Sequence, residues 1–337
     1  MREIAVAPLA GYTVVETGRS VAAGFCTRLL AHVGAQVLVV EPLDGAAGVF
    51  LGDGKRVDGV TAQDAYAAAD VVVHGADRGD SDPDPGAEFE RLQAFRPGLV
   101  YVFLSPFGRP GDGLPWRGDD INSQATGGLS SLVGEPEREP LVVPDDVGAS
   151  GQGLSGACAV LGALLDPDRD GSFIDVAAAD VAASYSRMYT LLYRFYDIPP
   201  VRAGRRAPGS GGRYPMTILP CRDGDVVLIG RSRRDWERYL DMLGRPEWSE
   251  QPRYRDPLGI ATQYPDEVDA LIAPWLAKRT RSELGELAQK YGVPLGAVRT
   301  VDEVLDDPQM RHRGFFRPAS DTPGVELPGF PALFKRP

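Results

Sequence analysis

The chain has 337 residues, and its 36 basic against 47 acidic side chains give a net charge of −11. That length admits two domains, and a hydrophobic content of 43% can fill a sizeable core. Net acidity argues against nucleic-acid binding, which needs basic surface for phosphate; no apolar run approaches the roughly 20 residues of a membrane span, and MREIAVAPLAGYTVVE lacks a signal-peptide pattern, so a cytoplasmic, non-membrane protein is expected.

The opening reads as a β-α-β unit. Thr13–Glu16 is a buried-strand run, Ala22–His32 has helical spacing with Phe25, Leu29 and Leu30 apolar, and Gln36–Val40 is a second strand ending at Glu41-Pro42. Helix and strand follow at Ala62–Ala69 and Asp70–His74, then at Ala87–Phe95 and Leu99–Leu104, with a polar loop over Asp77–Gly86. A glycine-rich stretch comes after Pro110. Leu154–Leu165 then reads as a fully buried helix, Ser172–Ala177 as a strand, and Ala178–Tyr196 as one aromatic-rich helix. Strands alternating with helices predict a doubly wound, Rossmann-like parallel sheet over residues 1–198. Residues 199–214 read as a linker. A smaller α+β domain is expected over 215–305, with hairpin strands at Met216–Pro220 and Asp225–Gly230 and helices near Asp235–Leu243, Pro265–Lys278 and Ser282–Lys290. The tail, 306–337, is proline-rich and expected to return, extended, to the large domain.

Several chemistries lack their residues. Cys26, Cys158 and Cys221 are far apart and odd in number, which offers neither a disulfide framework nor a CxxC metal site, and His32, His74 and His312 are too scattered for zinc, so no metal is expected. The lysines are Lys55, Lys278, Lys290 and Lys335; the other basic residues are arginine, so an anionic ligand meets mostly guanidinium. The turn TGRSVAAG, with Glu41 ending the next strand, imitates a dinucleotide fingerprint but lacks GxGxxG, and a structural β-α-β unit is the expected reading.

Five ordered blocks carry a resemblance: PLAGYTVVETGRSVAAGFCTRLLAHVGAQVLVVEP, LVYVFLSPFGRPG, GDDINSQATGGLSSLVGEPEREP, DRDGSFIDVAAAD, and the pair CRDGDVVLIG and YGVPLGAVRTVDEVLDDPQMRHRGFF. Together they resemble family III CoA-transferases, the group that also holds the α-methylacyl-CoA racemases. The resemblance implies an interlocked homodimer acting on a small-molecule acid or acyl thioester, with coenzyme A as the substrate thioester. In the transferases an aspartate attacks the thioester to form a mixed anhydride; CoA thiolate attacks that, and an aspartyl-CoA thioester passes CoA to the acceptor acid. The racemases use an Asp and a His to move the α-proton.

This chain departs from the family at four places. Counting without gaps puts Ala149 at the catalytic aspartate; Asp146, in PDDVGASGQG, becomes the reactive carboxylate if two residues are added to the glycine-rich loop, and otherwise serves as a cap. Asp119 stands where the racemase has its histidine, so Asp119 with Asp146 makes an acid–base pair, or Asp119 is a solvated loop residue and Asp120 structural. Arg233 takes the place of the racemase's glutamate. The Asn-Phe-Arg-Pro-Gly stretch that grips the CoA nucleotide is replaced by ADVVVHGADRG, leaving Arg19 and Lys55 as candidate phosphate contacts or, equally, surface charges, with Arg205 and Arg206 behind them. Three functions are therefore expected: a CoA-transferase-like enzyme through Asp146, an acid–base isomerase, epimerase, lyase or cyclase through Asp119 and Asp146 in a biosynthetic role, or a non-catalytic binding homologue.

Overall fold

A computed structural model describes residues 7–57, 61–76, 84–109, 117–207 and 213–332. Most of the Asp77–Gly86 loop, the stretch after Pro110 and the middle of the expected linker lie outside these. The chain divides into two units, one formed by residues 1–131, 141–187 and 305–337 and the other by 132–140 and 188–304.

In the first unit β1 (Thr13–Thr17), β2 (Gln36–Val39), β3 (Val71–Gly75), β4 (Val100–Ser105) and β5 (Ser172–Ala177) form an all-parallel sheet in the order β2-β1-β3-β4-β5. The connecting helices are α1 (Val21–His32), α2 (Gly45–Gly52), α3 (Ala62–Ala68), α4 (Pro85–Gln93), α5 (Asp120–Thr126), α6 (Val147–Leu164) and α7 (Ala178–Tyr185). The central strands read as unbroken apolar runs because both of their faces are covered. Val14, Val71, Val73, Val100 and Val102 pack with Ala23, Cys26 and Leu30 of α1 and Ala157 and Val160 of α6. Val15, Val72, Tyr101 and Phe103 alternate with them and pack with Ala65 of α3 and Leu92 of α4.

The second unit holds α8 (Arg187–Tyr196), an antiparallel sheet of β6 (Met216–Cys221), β7 (Gly224–Ile229) and β8 (Leu295–Ala297), and helices α9 (Arg233–Met242), α10 (Pro257–Gln263), α11 (Pro265–Leu276), α12 (Arg281–Tyr291) and α13 (Val301–Leu305), around a core that includes Trp236, Tyr239, Tyr254 and Ile272. It begins earlier than the expected small domain and takes in the expected linker. The tail is less extended than its prolines imply: α14 (Pro308–His312) precedes a hairpin of β9 (Phe316–Pro318) and β10 (Glu326–Pro328), and Arg28 of α1 donates to the Pro328 carbonyl at 2.9 Å.

Two helix expectations need correction. The stretch 178–196 is two helices: Ser186 between them turns its hydroxyl back to the Ala183 carbonyl at 2.9 Å, a local bond that competes with continued helix. The helix expected at 154–165 starts at Val147, and only one side of it is buried; Leu154, Leu161 and Leu165 are exposed. α6 is also, among the described residues, the helix long and apolar enough to cross a membrane by length and composition, with a mean hydropathy of 1.2. Its buried side is lined by small residues. A Cβ on Gly153 would lie 2.5 Å from the Ala22 carbonyl oxygen, so glycine lets α6 and α1 meet backbone to backbone.

Lys55 is built into this core. Its ammonium is fully buried and spends all three donors, on Glu16 Oε2 (2.7 Å), Thr27 Oγ1 (2.7 Å) and the Gly24 carbonyl (2.9 Å). Burial pulls its pKa below the lysine range while Glu16 opposes the shift. Lys55→Met should cost roughly 3–5 kcal/mol of stability in urea unfolding, because Glu16 is left buried without its cation, and Lys55→Met/Glu16→Leu should recover much of the loss. Unchanged stability in Lys55→Met would contradict this placement.

Candidate active site

The site lies where a doubly wound sheet places one, beyond the C-terminal ends of its strands. A cleft there is lined by Val21 at the start of α1, Pro106 after β4, Asp119, Asp120 and Ser123 of α5, Asp146, Ala149 and Gln152 of α6, and Ala178 of α7. Gln152 fixes the depth of α6: its buried amide donates to the Ser105 carbonyl at 2.8 Å and to the Val176 carbonyl at 2.6 Å, tying the helix to the ends of β4 and β5.

Asp119 and Asp146 line this cleft together, but their carboxylates are used differently. Asp119 is the N-cap of α5 in a capping box: its Oδ1 accepts from the Asp120 amide at 2.8 Å, and its own amide donates to Asn122 Oδ1 at 3.0 Å. Asp119 is exposed and precedes the helix, as expected of a solvated loop residue, and it caps a helix that DINSQAT did not advertise. Asp146 is the N-cap residue of α6 by its backbone, with its carbonyl accepting from the Ser150 amide at 2.8 Å, yet its side chain makes no cap hydrogen bond. The cap alternative weighed for this carboxylate is therefore not what the structure has. Both Asp145 (φ 62°) and Asp146 (φ 52°) are left-handed. That conformation costs of order 1–3 kcal/mol per residue and persists where neighbours impose it. Partial desolvation, then repulsion from Asp120, Asp119 and Asp145, holds Asp146 above the ordinary carboxylate pKa.

Asp120, expected to be structural, is bonded to the head of α6. Its Oδ1 accepts from the Ala149 amide at 2.6 Å in the first turn of α6, and its Oδ2 accepts from Gln124 Nε2 at 2.6 Å. A carboxylate at a helix N-terminus is favourably placed against the helix dipole. The D-x-x-x-Q spacing, one helical turn, was the signal available in the sequence.

The expected nucleotide contacts fare unevenly. Arg19 is exposed and paired with exposed Asp44. Lys55 is the buried, fully bonded ammonium described above, so neither a phosphate contact nor a surface charge describes it. Arg205 and Arg206 pair with Asp266 and with Asp269, which is 2% exposed and also accepts from Tyr214 at 2.8 Å. They secure the linker to α11. Arg233 opens α9 in the second unit. Glu41, the acid that imitates a ribose contact, instead accepts from the Gly18 amide at 2.8 Å. His74 is bonded to the Tyr101 hydroxyl at 2.6 Å inside the sheet core. Among the described residues no His, Cys, Asp and Glu group suits a metal ion.

Comparison with known proteins gives the family. The chain is similar to succinate–glutarate CoA-transferase of Agrobacterium fabrum, at 25% identity over 96% of this chain and 88% of that protein. It is similar also to succinyl-CoA–D-citramalate CoA-transferase of Chloroflexus aurantiacus, at 27% identity over 89% and 81%. The crystal structure of a CaiB/BaiF family protein from Brucella suis superposes with a TM-score of 0.81 at 26% identity, covering 98% of this chain and 93% of that one. The model of CoA-transferase family III matches residues 60–337, so an α/β chain with a carboxylate cleft at the head of α6 belongs to CoA-transferase family III.

Proposed function

We propose that this protein is a CoA-transferase that moves CoA from an acyl thioester to a small carboxylic acid, with Asp146 as the nucleophile. One observation carries the reading: Asp146 stands at the head of α6 in the cleft with a carboxylate that no cap hydrogen bond consumes. Relatives named for succinate, glutarate and citramalate support short aliphatic acids as the substrate class.

The steps follow from that placement. An Asp146 oxygen attacks the thioester carbonyl, the carbon–sulfur bond breaks, and a mixed anhydride and CoA thiolate result. Thiolate attacks the aspartyl carbonyl, releasing the donor acid and leaving an aspartyl-CoA thioester. The acceptor carboxylate attacks that carbonyl and expels thiolate, which takes the acceptor acyl group and regenerates Asp146. Each attack builds an oxyanion. The helix leaves its first amides without intrahelical partners, and with the Ala149 amide held by Asp120, those of Val147 and Gly148 are the donors nearest Asp146. Arg19, exposed near the end of β1, is a guanidinium that could meet a CoA phosphate by exchanging its exposed partner Asp44. The exposed apolar side chains of α6, and separately Met188, Leu191, Phe195 and Tyr196 of α8, support a homodimer.

An acid–base reading rests on Asp119 and Asp146 sharing one cleft; the use of Asp119 as a cap counts against it. Transfer from succinyl-CoA to glutarate separates the two. Asp146→Asn should lower the rate by on the order of 10⁴-fold or more, as loss of a nucleophile does. Asp119→Asn should stay close to wild type, because asparagine caps as well as aspartate. The wild-type rate should rise with pH through the elevated pKa of Asp146, since its ionised form attacks. If instead the protein transfers no CoA, and Asp119→Asn and Asp146→Asn each abolish exchange of a substrate proton with deuterated water, the acid–base reading replaces this one.

A further inference from the structure

We propose that Asp120 and Gln124 are positioning residues, a two-point clamp from α5 that holds the turn bearing Asp146 and the first amides of α6. The proposal rests on Asp146 being the reactive carboxylate. The two residues are one helical turn apart on the same side of α5. At one end of the turn the Gln124 amide treats Val143 as a strand neighbour would: Oε1 accepts from the Val143 amide at 3.0 Å and Nε2 donates to the Val143 carbonyl at 3.0 Å. At the other end Asp120 Oδ1 takes the Ala149 amide at 2.6 Å. The Gln124 Nε2 bond to Asp120 Oδ2, at 2.6 Å, joins the grips and fixes which way each planar group faces.

Between the grips lie Pro144, Asp145, Asp146, Val147 and Gly148. Fixing both ends of five residues gives the two left-handed aspartates the external support that such backbone needs. Gly148 shows how close the clamp comes, because a Cβ there would collide with Asp120 Oδ1. Gln124 is 1% exposed and so is shielded from competing water.

The clamp is also a charge. Asp146 is faced by Asp145 of its own turn and by Asp119 and Asp120 of α5; the Tyr185 hydroxyl of α7 meets α6 further along, at Gly151, and α1, the turn after β4 and the start of α7 present Val21, Pro106 and Ala178, which do not titrate. Neutralising Asp120 therefore favours the ionised form of Asp146. Asparagine at 120 keeps an oxygen for Ala149 but turns a donor toward the donating Gln124 Nε2. The swap Asp120→Asn/Gln124→Glu restores a donor–acceptor pair and the negative charge, while leaving the Val143 carbonyl without its donor.

The test measures formation of a covalent adduct at residue 146 from succinyl-CoA, across the acid limb of its pH dependence, with amide hydrogen exchange over 143–150 followed in the same full-length proteins. Asp120→Asn should slow adduct formation by about 100-fold, the scale of an ångström's misplacement, and move the acid limb to lower pH. Gln124→Ala should slow it while leaving the limb where wild type has it, and should strip exchange protection from Val143 and Ala149. The swap should recover part of the rate and return the limb toward wild type, which a purely structural contact does not predict. Wild-type rates and pH dependence in both single variants, or unchanged protection of the two amides, would overturn the clamp. If wild type forms no adduct at residue 146, the reading of the site fails, and the exchange data decide the clamp: lost protection in Gln124→Ala upholds it and retained protection overturns it.

Discussion

The hydrogen bond from the Ala149 amide to Asp120 is the contact on which the site depends. α6 has nothing of its own at its head: Asp146 closes no side-chain cap, and Asp145 and Asp146 both occupy backbone that favours glycine. A helix start of that kind needs its orphan amides satisfied from elsewhere. A carboxylate on a separate helix does so, and the Asp146 side chain is left without a cap hydrogen bond. Partial desolvation, reinforced by the three other aspartates crowded at the same helix head, is why Asp146 resists ionisation.

The body of α6 is positioned by different means. Its glycines allow backbone contact with α1, and Gln152 measures its distance from the ends of β4 and β5. Depth comes from packing and two amide bonds; the pose of the reactive turn comes from α5. Errors in the first should appear as lost stability, and errors in the second as lost rate, so the two contributions are separable by experiment.

The parallel sheet was legible in the sequence because its strands are buried on both faces and read as valine runs. α5 was not, since DINSQAT is short, polar and capped by a residue that looked like loop. The head of α6 was hidden for the opposite reason: PDDVGASG is written in turn residues, yet a trans-acting carboxylate makes them helical. The pairing of Asp119 with Asp146 in one cleft followed from the family resemblance, whereas the contribution of Asp120 needed the three-dimensional contact. Lys55 shows the remaining gap most plainly. Its place in the GKR stretch of the family resemblance suggests a phosphate ligand, and nothing in the local sequence reveals that Glu16 and Thr27, far along the chain, close over it.

The central claim is that Asp146, presented by α5 at the head of α6, is the carboxylate that becomes acylated. The most direct measurement is to quench the protein during turnover with succinyl-CoA, digest it, and map the acyl or CoA mass label residue by residue. The account predicts the label on Asp146 and on none of Asp119, Asp120 and Asp145. A label on any of those three, or CoA transfer that proceeds with no labelled carboxylate at all, would contradict it.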